Sequence, residues 1–189
     1  MEVYIVRHTS VNVPKGVCYG QSDVSVSETF EDEAKIVYEN LKALKESFGQ
    51  VTDFDFAFCS PLSRCVKLAE YCGYFNAERD DRIKEINFGE WELCNFNEIK
   101  DPVLQEWYND YLNVRVTGGE SFKDQYARVA SFLSGLKEKE FSKNGSVTRI
   151  VVFAHGGVLI CARIFVGEIT GEQAFNSLTP YGGIVKIVL

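Results

Sequence analysis

The sequence predicts an α/β fold, a three-layer α/β/α sandwich on a mainly parallel sheet, from three observations. Val3-Tyr4-Ile5-Val6, Phe54 to Cys59 and Ile150-Val151-Val152-Phe153-Ala154 are short runs rich in β-branched and aromatic residues, the composition of strands buried on both faces. Stretches with apolar residues every three or four positions separate them, as the crossovers of parallel strands require. No repeat, linker or charge block divides the chain, and strands alternating with helices define this class.

The first strand, Val3 to Val6, stops at Arg7-His8, and the stretch to Ser27, with Pro14, Gly16 and Gly20, has no periodicity and reads as loop. Ala34, Val37, Tyr38, Leu41, Leu44 and Phe48 then form one apolar helical stripe ended by Gly49. The second strand, Phe54 to Cys59, is stopped by Ser60-Pro61, with Pro61 expected in the first turn of a helix running to about Cys72. Residues 80 to 120 are acidic, aromatic and punctuated by Gly and Pro, with one helix expected from Val103 to Leu112; so long a segment between regular elements often carries function. Phe122, Tyr126, Val129, Phe132, Leu133 and Leu136 restore helical spacing. The strand Ile150 to Ala154 leads through His155-Gly156-Gly157 into an apolar helix from Val158 to Val166, and Gly183 to Leu189 reads as the last strand.

With 189 residues, 46% hydrophobic and 25% charged, the chain fits one globular domain, residues 1–189. A net charge of −7 argues against nucleic acid or an anionic membrane as partner, so any anion site must be local. No apolar run approaches the ~18 residues of a membrane span, and the strand-like start does not read as a signal peptide. The six cysteines (Cys18, Cys59, Cys65, Cys72, Cys94 and Cys161) form no CxxC pair and sit mostly in apolar stretches. Reduced thiols and a cytoplasmic location are therefore expected. With two histidines, neither a metal nor another cofactor is expected. The sequon Asn144-Gly145-Ser146 reads as a turn.

Ligands of open α/β sheets bind beyond the carboxyl ends of the strands. There the chain sets Arg7 and His8 after the first strand, Arg64 in the helix after the second, and His155 before Gly156-Gly157. Each alone reads as a structural residue; together they make a cationic cradle in an acidic chain. Guanidiniums offer paired donors to tetrahedral oxyanions, and a Gly-Gly helix start adds backbone N–H groups, so phosphate is the expected guest. A neutral His8 can attack phosphorus while the cations neutralise the phosphoryl oxygens. A leaving alcohol then needs a proton donor, for which Glu85, Glu90, Glu92 and Glu120 compete. Trp91, Phe96, Trp107 and Tyr111 are candidates for the leaving-group side as well as for core. A cysteine phosphatase is excluded because no Arg follows any cysteine by six positions, and no P-loop motif occurs. The rival of another class is a noncatalytic phospholigand-binding module.

Arg7-His8, Gly20 with Asp23, Ser60-Pro61-Leu62-Ser63-Arg64, Glu85 to Glu92, Gly119-Glu120-Ser121 and His155-Gly156-Gly157 occur in order along the chain. This series resembles the histidine phosphatase (phosphoglycerate mutase-like) superfamily. The resemblance implies a metal-independent phosphomonoesterase of that fold. In it His8 is phosphorylated, Arg7, Arg64 and His155 clamp the transferred group, Glu85 gives and takes the proton, and Tyr19, Gly20 and Gly156 contact substrate. Gly16-Val17-Cys18-Tyr19-Gly20-Gln21-Ser22-Asp23 resembles the loop of bacterial α-ribazole phosphatases of cobalamin assembly, which implies α-ribazole 5′-phosphate as substrate. Phosphoglycerate mutase and sugar-phosphate phosphatase are the alternatives within the superfamily. The chain departs from the pattern at Thr9 (usually Gly), at Pro14 (usually Asn, a role Asn12 could take), at Tyr19 and at Leu93.

Overall fold

The computed structural model describes residues 1–49, 53–138 and 147–189. The Asn144-Gly145-Ser146 sequon lies outside the described residues. The regular elements run β1 (Glu2–Arg7), α1 (Phe30–Glu46), β2 (Phe56–Cys59), α2 (Ser63–Tyr71), β3 (Glu78–Arg79), α3 (Val103–Asn109), α4 (Phe122–Glu138), β4 (Arg149–Ala154), α5 (Gly156–Phe165) and β5 (Ile184–Val188).

These strands form one sheet in the order β3-β2-β4-β1-β5, parallel except for β5, which runs antiparallel along β1. Pleating sorts alternate residues to opposite faces. Val3, Ile5, Phe58, Ile150 and Val152 pack against Val129, Phe132 and Leu133 of α4 and Val158 and Leu159 of α5. Tyr4, Val6, Cys59, Val151 and Phe153 pack against Ala34, Val37 and Leu41 of α1 and Leu68 and Ala69 of α2. The sandwich therefore has three layers, and the continuous apolar runs are explained by helices on both faces.

Several boundaries differ from the expectation, each for a local reason. Pro61 sits in a turn rather than in the first helical turn, because Leu62 is extended (φ −69°, ψ 136°) and α2 starts at Ser63, whose N–H is taken by the Asp23 carboxylate at 2.8 Å. Pairing of β2 starts at Phe56, two residues late; the Asp55 carboxylate instead accepts the Arg149 N–H at 2.9 Å. Helix α3 stops at Asn109, since Asp110 leaves the helical region (φ −149°, ψ 64°). Helix α5 begins at Gly156, two residues early. The two-residue β3 has no pattern long enough to read.

All six cysteines are free thiols, Cys94 alone being exposed. The segment from 80 to 120 is mostly irregular. It gathers Cys18, Trp91, Trp107 and Val116 into a third apolar cluster beside the sheet's carboxyl edge.

Leu133 is fully buried between α4 and the sheet, whereas Ile36 on α1 is 62% exposed. Leu133→Ala is expected to destabilise the fold by about 2–5 kcal/mol and Ile36→Ala by no more than about 0.5 kcal/mol, as read by urea unfolding. Equal losses would contradict the burial pattern.

Candidate active site

Strands β2, β4 and β1 are neighbours, and their carboxyl ends finish at one level. His8 N–H donates to the Ala154 carbonyl at 3.0 Å and Ser60 N–H to the Phe153 carbonyl at 2.9 Å. Ser60, His155 and His8 consequently stand side by side along one edge. The two imidazoles meet edge to face with centroids 5.2 Å apart, and His155 Nε2 lies 2.7 Å from the Ser60 hydroxyl.

His8 Nδ1 lies 2.7 Å from the Thr9 carbonyl, which can only accept; Nδ1 therefore carries the proton and Nε2 keeps its lone pair. Burial, helped by the Arg64 and Arg7 charges and opposed by the Thr9 carbonyl, pushes the His8 pKa down to about 3. Burial, Arg64 and His8 hold His155 well below its ordinary value too. Both imidazoles are neutral at pH 7.

Two guanidiniums flank them. Arg64, on the first turn of α2, is 0% exposed and donates from Nη1 to the Ser22 carbonyl at 2.9 Å and from Nη2 to the Gly20 carbonyl at 2.6 Å. Arg7 donates from Nη1 to the Thr179 carbonyl. The Nε groups of both are buried and find no acceptor among the described residues. An unsatisfied buried donor costs about 1–3 kcal/mol. Paired orphans of this kind suit an oxyanion, whose oxygens accept from several donors at once.

Glu85 faces this group from the long irregular segment. Its Oε1 accepts from Ile86 N–H at 2.9 Å and Gln125 Nε2 at 2.7 Å, and its Oε2 from Gly157 N–H at 3.2 Å. A Cβ on Gly157 would stand 2.3 Å from Oε1, so only glycine lets the carboxylate approach the start of α5. The other acids serve elsewhere. Glu92 gathers the N–H groups of Gly20, Gln21, Ser22 and Phe88 at 2.8–3.1 Å. Burial raises its pKa, but bonds from Ser22 and from the Gly20, Phe88 and Gln21 N–H groups outweigh this and hold it low. Glu120 pairs with Arg128 at 2.9 Å. Glu90 lies outside the cavity that Glu85 lines.

That cavity, of about 330 Å³, opens over His8 and Arg7. Glu85 and Tyr19 line it with them, and its far wall is Phe88, Phe96, Trp107, Tyr111 and Phe122. Arg64 and His155 stand behind, fully buried. Gly20 does not line the cavity; a Cβ there would fall 1.9 Å from the Ile86 carbonyl, so its role is to let two loops touch. Gly156 instead backs onto Arg7, a Cβ there lying 3.3 Å from Nε. Of the four aromatics singled out, Trp91 is core, its indole N–H held by Asp101 at 2.8 Å, while Phe96, Trp107 and Tyr111 reach the cavity. Asn12 is exposed, with its main-chain N–H on the Ser25 carbonyl, and it does not line the cavity.

Three participants escaped the sequence reading. Gln125 falls on the buried stripe of α4, where a polar residue signals a required partner. Ser60 carried the weaker signal of a hydroxyl at a strand end. Tyr181 is 162 residues from Tyr19, whose hydroxyl it meets at 2.7 Å, and nothing local announces it.

Residues 3–187 match the histidine phosphatase superfamily (branch 1), and the chain belongs to that superfamily. A Hydrogenobacter thermophilus protein provisionally named phosphoserine phosphatase 2 is 24% identical over 98% of this chain and 88% of its own length. The crystal structure of phosphoglycerate mutase from Thermus thermophilus superimposes with a TM-score of 0.72 at 26% identity, covering 99% of this chain and 92% of that one. An Escherichia coli protein provisionally described as an α-ribazole-5′-P phosphatase reaches a TM-score of 0.82 at 20% identity, over 99% of this chain and 89% of that one, a likeness of fold. Membership supports a phosphatase or mutase activity, in a family that acts on small phosphorylated substrates. Among the described residues no cluster of three or more His, Cys, Asp or Glu could hold a metal ion, and no helix is long and apolar enough to cross a membrane.

The depressed histidine pKa is testable directly, since the chain has only two imidazoles. An unfolded His titrates near 6.5 and folded His8 at about 3, so between these values the unfolded state binds more protons and native stability falls as the pH is lowered. Heteronuclear NMR is expected to show both rings neutral from pH 8 to pH 5. A titration midpoint near 6.5 for His8 would contradict the burial and charge argument.

Proposed function

We propose that residues 1–189 form a single-domain cytoplasmic phosphomonoesterase that works through a phosphohistidine on His8. The observation that carries this reading is the pairing of a neutral His8, its Nε2 lone pair free, with two arginines, Arg64 fully buried and Arg7 half-buried, whose buried Nε–H groups find no acceptor among the described residues. The monoester's phosphoryl oxygens take donors from Arg7 and Arg64, with His155 beside them. Nε2 of His8 attacks phosphorus in line, the bond to the leaving oxygen breaks, and Glu85 gives that oxygen its proton. Water then attacks the phosphohistidine, Glu85 takes the water's proton, and His8 returns to its neutral form. Glu85 Oε2, which among the described residues accepts one bond, from Gly157, has room to carry the proton it gives and, once ionised, to take one from water. Most of the rate gain comes from positioning and charge neutralisation.

The leaving group lies in the aromatic part of the cavity. Among the described residues that line it, Arg7 is the one Arg or Lys, and in this reading it is engaged with phosphate. Phosphoglycerate or phosphoserine would bring a carboxylate to a wall of Phe, Trp and Tyr without a cationic partner, a costly desolvation. A ring-bearing alcohol suits that wall, and together with the Gly16 to Asp23 loop this favours α-ribazole 5′-phosphate. A binder without turnover has no use for a carboxylate beside bound phosphate, where it repels, so Glu85 favours the enzyme.

His8→Ala is expected to abolish turnover and acid-labile ³²P labelling of the chain while leaving the unfolding midpoint close to wild type. Retention of more than a few per cent of wild-type turnover refutes the assignment. Across α-ribazole 5′-phosphate, phosphoserine, 3-phosphoglycerate and a hexose phosphate, kcat/KM is expected to be highest for the first by about tenfold or more. A preference for a carboxylate-bearing ester overturns the substrate assignment and leaves the mechanism standing.

A further inference from the structure

One side chain with no part in the proposed chemistry touches two residues that have one, Arg7 and His8, and a third, Tyr19, that lines the cavity. Tyr181 occupies the second position of the turn Pro180–Gly183, closed by Gly183 N–H on the Pro180 carbonyl at 3.0 Å. Gly182, at the third position, has φ +68°, which a type II turn asks of glycine. The turn is stitched to the end of β1: Arg7 N–H donates to the Gly183 carbonyl at 2.9 Å and Gly182 N–H to the His8 carbonyl at 3.2 Å. Arg7 Nη1 donates to the Thr179 carbonyl just before it. So tethered, the Tyr181 ring centroid lies 4.1 Å from the Arg7 guanidinium carbon and 5.5 Å from the His8 ring centroid. Its hydroxyl meets that of Tyr19 at 2.7 Å.

We propose that Tyr181 is a positioning residue of the phosphate site: its ring fixes the plane of the Arg7 guanidinium, and its hydroxyl holds Tyr19 at the cavity wall. A carboxylate could also pin Arg7, but it would neutralise the charge and occupy the N–H edge that an anion needs. An aromatic face holds a guanidinium through the ring quadrupole and leaves both the edge and most of the charge available. The orphaned Nε–H of Arg7 is the donor this arrangement keeps free. Tyr19 is carried by the loop that Arg64 and Glu92 anchor, so the hydroxyl pair joins that loop to the Pro180–Gly183 turn across 162 residues of sequence.

This inference rests on Arg7 being a phosphate ligand, and its test separates the two readings. Affinity for inorganic phosphate is measured by calorimetry on wild type, Tyr181→Phe, Tyr181→Trp and Tyr181→Leu, alongside kcat and KM for one monoester. Tyr181→Leu is expected to weaken phosphate binding by about 5- to 20-fold, while Phe and Trp, which keep an aromatic face, stay within about threefold of wild type. Tyr181→Phe and Tyr19→Phe are expected to raise KM alike, and the double variant no further than either alone, because both remove one bond. Wild-type phosphate affinity in Tyr181→Leu, or a loss in Tyr181→Phe equal to that in Tyr181→Leu, overturns the proposal. If Tyr181→Leu fails to fold, Tyr181→Trp decides, with affinity within about threefold of wild type supporting the role and any larger drop refuting it. A wild type that binds phosphate but never turns over, yet loses binding in Tyr181→Leu, sinks the phosphatase reading and spares this one.

Discussion

The structure turns on one buried cation. Arg64 is 0% exposed, and its two hydrogen bonds reach the carbonyls of Gly20 and Ser22. A guanidinium taken out of water is held there only by acceptors arranged around it. Those acceptors exist because Glu92 collects the N–H groups of Gly20, Gln21 and Ser22 and so turns the loop's carbonyls toward Arg64. The same charge helps to keep both imidazoles neutral. A single residue therefore orders the loop after β1, helps to suppress protonation of its neighbours and keeps an Nε–H with no acceptor among the described residues, the donor the proposed function assigns to phosphate. A donor of this kind directed at a developing oxyanion contributes on the order of 3 kcal/mol to catalysis.

Close approach of loops is the second constraint, and glycine meets it at the points of contact. Gly20 touches the Ile86 carbonyl, Gly157 touches Glu85, and Gly119 lies where a Cβ would stand 2.4 Å from the Asn87 carbonyl. The first two contacts hold the segment from 80 to 120 against the loop after β1 and the start of α5, and the third folds the segment on itself. Arg128 completes the attachment by donating to the carbonyls of Lys84 and Glu85 while pairing with Glu120. Glu85 is thereby carried on a segment with little regular structure and yet is fixed by five partners, its carboxylate by Ile86, Gln125 and Gly157 and its carbonyl by Arg128 and Gln21.

How much of this was legible follows from how local each cause is. The four longer strands were readable because burial on both faces leaves an unbroken apolar run, and α1 and α4 because one face of a helix must be apolar. The positions of Arg7, His8, Arg64 and His155 followed from where strands end. The failures mark non-local causes. Pro61 suggested a helix start, but the Asp23 carboxylate, 40 residues away, sets it at Ser63. Asn12 looked able to replace the residue missing at Pro14, yet the main-chain bond to Ser25 holds it on an exposed loop. Glu85 could not be separated from Glu90, Glu92 and Glu120 by residue type, because what distinguishes them is which N–H groups surround each one. Tyr181 was invisible because its partners come from the opposite end of the chain.

The two ends of the cavity divide the work of recognition. At one end the buried Nε–H groups of Arg7 and Arg64 have no acceptor among the described residues, and in the proposed reaction they would meet the same phosphoryl oxygens whatever alcohol the phosphate is attached to. At the other, Phe88, Phe96, Trp107, Tyr111 and Phe122 offer apolar area. Such a wall discriminates weakly between two apolar groups, at about 1–3 kcal/mol per methylene, but strongly against a charge it would strip of water. Specificity on this plan comes from exclusion more than from fit. In the proposed reaction, changes of leaving group should therefore act on KM and kcat together, because a ring seated against the aromatic wall would also set the distance between the leaving oxygen and Glu85.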